Sequence, residues 1–224
     1  TDPASDADEI MFEDRIDAGR QLARALLECR LKNPVVIAIP RGGVPVAAEV
    51  ARALNAPLDM VLVRKIGAPS QPELAIAAVA DGASPILEID TSSLEYSGST
   101  MADVRAGMVR ELTEIERRRP LYLKNRSQLS LSGRTAILVD DGIATGTTVR
   151  AAIRALRARK PMRLVLAVPV AAEDSLERLS SEVDEVICLL SPAWFGGVGE
   201  FYRDFEQTSD DEVIRAFWST TEPE

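Results

Sequence analysis

Residues 136–148 read Ala-Ile-Leu-Val-Asp-Asp-Gly-Ile-Ala-Thr-Gly-Thr-Thr: an apolar run, two adjacent carboxylates, then a small-residue turn rich in hydroxyls. The chemistry this suggests is the holding of a sugar next to a phosphate. Asp140 and Asp141 close an apolar strand and can accept hydrogen bonds from ribose hydroxyls. The turn Ala144, Thr145, Gly146, Thr147, Thr148 leads into a helical stretch, residues 149–159, whose free amides and partial positive charge suit a phosphate monoester. Read alone, the same residues also describe an Asp-Asp-Gly turn capped by Thr147 at an ordinary strand-to-helix junction.

Two further segments share this strand, loop, helix logic. Residues 35–39 are continuously apolar and run into Pro40-Arg41-Gly42-Gly43, followed by residues 44–54 at helical spacing. A guanidinium beside two glycines suits close main-chain approach to a pyrophosphate and bidentate bonding to its oxygens. Residues 60–63, Met-Val-Leu-Val, form another strand that ends in Arg64-Lys65. If the strand continues, these two cations alternate faces, and one of them reaches the ligand.

In their order, Pro40 to Gly43, Arg64 to Pro69 and Val139 to Gly146 resemble the signature loops of type I phosphoribosyltransferases, in particular a group of stand-alone bacterial phosphoribosyltransferase-like proteins. The resemblance runs from about Phe12 to about Glu212 and is weakest over residues 83–119. It implies that Asp140 and Asp141 bind the ribose hydroxyls of phosphoribosyl pyrophosphate (PRPP). Residues 144–148 then grip its 5′-phosphate, and Arg41, Gly42 and Gly43 take the pyrophosphate together with Arg64 or Lys65. Asp140, Asp141, Arg41 and Lys65 are the residues this assigns to catalysis. It also implies a non-proline cis peptide near Arg41-Gly42, and Mg²⁺ held by PRPP and water with Asp140 or Asp141, without a dedicated protein cage. A mobile loop follows from it too, and residues 91–100, Ser-rich with Gly98, fit that part, with Tyr96 at the tip.

Seven of the ten aromatic residues lie between Trp194 and Trp218. A nucleobase needs a flat apolar face, and in the family a hood over the ribose supplies it. Residues 191–205 are therefore expected to form the hood, with Trp194 and Phe195 as base-binding residues, while Phe205, Phe217 and Trp218 read as packing of a C-terminal helix. The 6-oxopurine branch carries an aspartate where this chain has Ala144, so that branch's suspected proton acceptor is missing. The implied function is Mg²⁺-dependent transfer of a phosphoribosyl group from PRPP to a nucleobase-like nitrogen in nucleotide salvage. The alternatives are a PRPP-sensing regulator without turnover and a hydrolase using water. The family often dimerises, and a homodimer is the expectation that follows.

Composition narrows the classes. With 224 residues and 46% hydrophobic content the chain suits one domain with a full core. A net charge of −9 argues against nucleic acid as partner, because that affinity needs many Lys and Arg contacts to phosphates. There is no histidine, which excludes His-based triads and HExxH zinc sites. Cys29 and Cys188, far apart, read as buried thiols in a reducing compartment, and a cytoplasmic location follows. No membrane span or signal peptide is visible. The chain opens on Thr1, the mark of processing or of a fragment, and residues 1–9 are acidic and read as a disordered tail ahead of a single domain, residues 10–224.

The elements that must position these loops alternate. Helices are expected over residues 14–31, 44–54, 101–119, 147–159 and 172–181, and strands over 34–39, 59–65, 135–140, 163–168 and 185–190. Residues 75–80 and 85–89 form a hairpin about Asp81-Gly82. The predicted class is α/β: a parallel twisted sheet with helices on both faces, the type I phosphoribosyltransferase fold, plus a small hood from the C-terminal and N-terminal segments. Ligands bind such sheets beyond the strand carboxyl ends, where all three loops lie.

Overall fold

A computed structural model describes residues 12–82 and 84–221. The acidic segment expected as a tail lies outside the described residues.

The chain begins with α1 (Arg15–Glu28), β1 (Pro34–Ala38), α2 (Gly43–Leu54) and β2 (Leu58–Met60). An antiparallel unit follows, made of β3 (Val63–Ala68), β4 (Gln71–Ala80) and β5 (Ile86–Ile89), and then α3 (Thr91–Tyr96) and α4 (Met101–Leu123). The second half runs through β6 (Thr135–Val139), α5 (Thr147–Ala158), β7 (Arg163–Val170), α6 (Glu173–Ser180), β8 (Glu185–Leu190) and α7 (Asp210–Thr221). The main sheet has five strands in the order β2-β1-β6-β7-β8, all parallel.

Its apolar strands divide between two cores with the period of two that a pleated strand imposes. Val36, Ala38, Ile137, Val139, Val165 and Ala167 pack with Leu22 and Leu26 of α1, Val50 of α2 and Phe217 of α7. Val35, Ile37, Ala136, Leu138, Leu164 and Leu166 face Val149, Ile153 and Leu156 of α5 and Leu179 of α6. A sheet covered this way must be apolar on both faces, which is why its strands are continuous hydrophobic runs. α1 and α2 come close at Gly19, where a Cβ would stand 2.8 Å from the carbonyl oxygen of Val46.

Four sequence expectations are corrected. Residues 59–65 are two strands in two sheets, β2 in the parallel sheet and β3 in the antiparallel one. Val61 and Leu62 between them are both buried, so the apolar run hides the change of sheet. Residues 91–100 contain the helix α3, capped by the Asp90 side chain, which accepts from Ser93 N at 2.9 Å. Cys29 and Cys188 are half-buried, at the end of α1 and in β8. α4 runs on through Pro120, because Tyr122 and Leu123 are drawn into the core. Among the described residues no helix is long and apolar enough to cross a membrane.

Candidate active site

β1 and β6 are neighbours in register, Ala38 opposite Val139, so the loops that leave their carboxyl ends emerge side by side. Contact between them is tight. A Cβ on Gly43 would meet the Val139 carbonyl oxygen at 2.9 Å and Asp140 Cα at 3.0 Å, and one on Gly42 would lie 2.0 Å from Asp141 Oδ2. The two glycines are therefore the surface on which the acidic pair rests. The cis peptide joins Pro40 to Arg41, one bond before the expected Arg41-Gly42.

Asp141 is held from three directions. Arg15 Nε donates to Oδ2 at 2.8 Å, Tyr202 OH donates to the main-chain carbonyl at 2.6 Å, and Asp141 N donates to Asp140 Oδ1 at 2.9 Å. Burial and the neighbouring Asp141 charge push the Asp140 carboxyl well above the usual carboxylate range. Burial raises Asp141 too, but there the Arg15 guanidinium opposes it, so the pair's negative charge is favoured on Asp141. The sequence does not point to Arg15, and it places Tyr202 among the hood aromatics without indicating its bond to Asp141.

The next loop leads into α5. Gly146 is the N-cap of α5 with φ 82° and no side-chain cap, so the first-turn N–H groups are left to other acceptors. Thr145 and Thr147 hydroxyls lie 3.4 Å apart, and Thr147 Oγ1 donates to Asp90 Oδ2 at 3.3 Å. Ala144 is fixed from behind, its carbonyl accepting from Ser175 Oγ at 2.6 Å. A cavity of about 480 Å³ opens here, lined by Ala144 to Thr147, by residues 88–93 and by Arg178. Thr148 follows in the first turn, partly exposed.

The three expected pyrophosphate cations are each answered by an acid. Arg41 Nη1 lies 3.9 Å from Asp210 Oδ1, to which the Tyr122 hydroxyl also donates. Arg64 Nε pairs with Glu111 Oε2 at 3.0 Å, and Lys65 Nζ with Glu73 Oε2 at 2.9 Å. Both Arg64 and Lys65 sit on β3 in the antiparallel sheet, not at a carboxyl end of the parallel one. Only Arg64 of the two lines a crevice shared with Pro40, Arg118 and Tyr122. Arg118 thus faces the loop, although the run of three arginines reads as a solvated helix end; its side chain is 15% exposed and paired with Glu114.

A short 3₁₀ turn, Val198–Phe201, forms the hood's base. Val198 packs on the acidic loop, where a Cβ at Gly142 would stand 2.4 Å from its Cγ1. The N-terminal segment ties in through Phe12 N to the Phe201 carbonyl at 2.9 Å and Arg203 N to the Phe12 carbonyl at 2.8 Å. Phe195 stacks on Phe201 with centroids 5.3 Å apart, whereas Trp194 is 75% exposed. Phe205 belongs to this cluster, against Tyr202 and under the Arg15 guanidinium, and not to packing of a C-terminal helix. Phe217 and Trp218 do lie on α7, as expected.

The chain is similar to several known proteins. A protein of Mycobacterium tuberculosis (strain CDC 1551 / Oshkosh), provisionally named phosphoribosyl transferase MT0597, is 46% identical over 204 residues, 91% of this chain. The chain spans 46% of that relative's length. The crystal structure of TT1426 from Thermus thermophilus is 39% identical, covers 95% of this chain and 100% of its own, and superposes with a TM-score of 0.77. The AQ2163 protein from Aquifex aeolicus, at 13% identity over 90% of this chain and 85% of its own, has a TM-score of 0.51 and shares the fold. The sequence profile of the phosphoribosyl transferase domain matches residues 11–206, and with its fold the chain belongs to that family.

Proposed function

We propose that the protein transfers the phosphoribosyl group of PRPP to a nucleobase-like nitrogen and releases pyrophosphate. The observation that carries this reading is the packing of Gly42 and Gly43 on Asp141 and Asp140, which brings a pyrophosphate-type loop to the edge of a ribose-type one. Loss of pyrophosphate builds positive charge on the ribose and negative charge on the departing oxygens. The acidic pair holds the sugar hydroxyls and favours its cationic character, and the turn 144–148 fixes the 5′-phosphate through main-chain amides and hydroxyls. Arg41, with Arg64 or Lys65, meets the departing pyrophosphate after leaving its internal acid. The nitrogen approaches from the hood, where Phe195, backed by Phe201, and the exposed Trp194 offer ring faces.

Mg²⁺ fits the donors present. Among the described residues no group of three or more His, Cys, Asp or Glu side chains is placed to hold a metal. Two adjacent carboxylates do match the habit of Mg²⁺, which takes one or two carboxylates and completes its shell with phosphate oxygens and water. Asp140, free of the Arg15 contact, would hold it, and the metal would supply charge neutralisation at the pyrophosphate.

The test incubates the protein with Mg²⁺ and PRPP against a panel of purine and pyrimidine bases and follows pyrophosphate release. Base-dependent release is expected, and Asp141→Asn should lower it by at least ~1.5 kcal/mol in transition-state stabilisation. Binding without release selects nucleotide sensing, and release without a base selects hydrolysis. An unchanged rate and PRPP affinity in Asp141→Asn would refute the ribose assignment.

A further inference from the structure

Arg15 occupies a position that its own helix does not favour. It opens α1, where the macrodipole is unfavourable to a cation, and its side chain is only 12% exposed. A guanidinium buried to that extent needs partners in fixed places. Arg15 has three: Nε reaches Asp141 Oδ2 at 2.8 Å, Nη1 reaches the Glu206 carbonyl at 2.7 Å, and Cζ lies over the Phe205 ring, 4.0 Å from its centroid. Its main chain is held as well. Asp14 caps the helix by accepting from Asp17 N at 2.8 Å, and Asp204 N donates to the Glu13 carbonyl at 2.9 Å.

We propose that Arg15 is a positioning residue of the ribose site, clasping the hood segment 205–206 to Asp141 so that this carboxylate presents its other oxygen, Oδ1, to a sugar hydroxyl in one orientation. The inference rests on the PRPP reading above and adds a residue outside the three signature loops. A planar fork is required, because one group must bond two acceptors on different segments while its centre stands over a ring. A lysine offers only a point charge. Arg15 touches no reacting atom in this scheme and acts through Asp141.

A double-mutant cycle on PRPP affinity, read by isothermal titration calorimetry with Mg²⁺, separates positioning from general support of the fold. Arg15→Met should weaken PRPP binding about tenfold, the scale of one charge-assisted hydrogen bond. Combined with Asp141→Asn it should cost no more than Asp141→Asn alone, because the residue through which Arg15 acts is already disabled. Arg15→Lys should recover only part of the loss. Phe205→Leu removes the ring without touching the charge and should weaken binding about threefold, so the idea stays testable if Arg15→Met does not fold. Additive losses in the cycle, or full affinity in Arg15→Lys, overturn the positioning role while the PRPP reading stands. A wild-type protein that does not bind PRPP overturns the reading itself, and the role of Arg15 with it.

Discussion

Replacing Gly42 with alanine sets two effects of opposite sign against each other. Gly42 has φ −61° and ψ −31°, a conformation that any residue adopts. On backbone entropy alone, alanine would stabilise the protein by ~0.4–1 kcal/mol. The added carbon would stand 2.0 Å from Asp141 Oδ2, 2.7 Å from its Cγ and 3.1 Å from Arg15 Nε. Asp141 cannot move aside cheaply, since Arg15 holds its carboxylate at 2.8 Å and Tyr202 its carbonyl at 2.6 Å. Displacing the carboxylate gives up a hydrogen bond to a charged group, ~1.5–3 kcal/mol, and the steric effect wins. The expected net loss of stability is ~1–2 kcal/mol, read as a lower urea midpoint at unchanged slope, with PRPP affinity falling about tenfold. Gly197→Ala is the control. Its Cβ would meet no atom within 4 Å, and its change should stay within ~0.5 kcal/mol. If Gly42→Ala is as silent as Gly197→Ala, or stabilises, the loop does not pack on Asp141 and the site as described is wrong.

Asp59 is 1% exposed, accepts from Leu129 N at 2.8 Å and lies 3.5 Å from Arg159 Nη2. Asp59→Ala strands Leu129 N and leaves Arg159 Nη2 with the Leu129 carbonyl at 2.6 Å but without its counter-charge, and should lower unfolding free energy by about 3 kcal/mol; a loss under ~1 kcal/mol in urea denaturation would contradict that network. Glu114, hydrogen-bonded first by Arg117 and then by Arg118, has its carboxyl lowered from 4.5 to about 2. A folded pKa below the unfolded one gives stability that is present above about pH 4.5 and lost as the pH falls through about 2. Glu114→Gln should therefore flatten the fall in Tm across that window, by a small amount because solvent screens the pair, and an unaltered profile would refute the assignment.

What the sequence discloses is what its local patterns encode. The acidic pair, the Pro-Arg-Gly-Gly loop and the hydroxyl turn were legible because each places unlike chemistry at fixed spacing after an apolar strand, and β1, β6 and α5 hold them where expected. The break between β2 and β3 was not, since Met60 to Val63 are buried without interruption and periodicity is blind to which sheet buries them. α3 does leave a trace in the sequence: Asp90 stands three residues before Ser93, the spacing of an Asx cap. Arg15 left none. A basic residue in a first helical turn reads as a solvated charge, and its partner Asp141 is 126 positions away. The hood's aromatic density was visible, but which ring turns inward is decided by long-range packing, and this puts Tyr202 inside and Trp194 out.

The pairing of Arg41 with Asp210, Arg64 with Glu111 and Lys65 with Glu73 matches three positive charges with three negative ones. Such a region projects little net field, and the surrounding protein carries −9, so an approaching polyanion gains little long-range guidance. Under the PRPP reading proposed above, entry becomes an exchange of partners. A ligand with one charged group swaps one contact for one of similar strength, whereas a ligand with several linked oxygens can free Arg41 together with Arg64 or Lys65 in a single event. Selection by the number of joined charges then follows from the resident acids themselves, which act as competitors that solitary phosphate, sulfate or chloride must also displace.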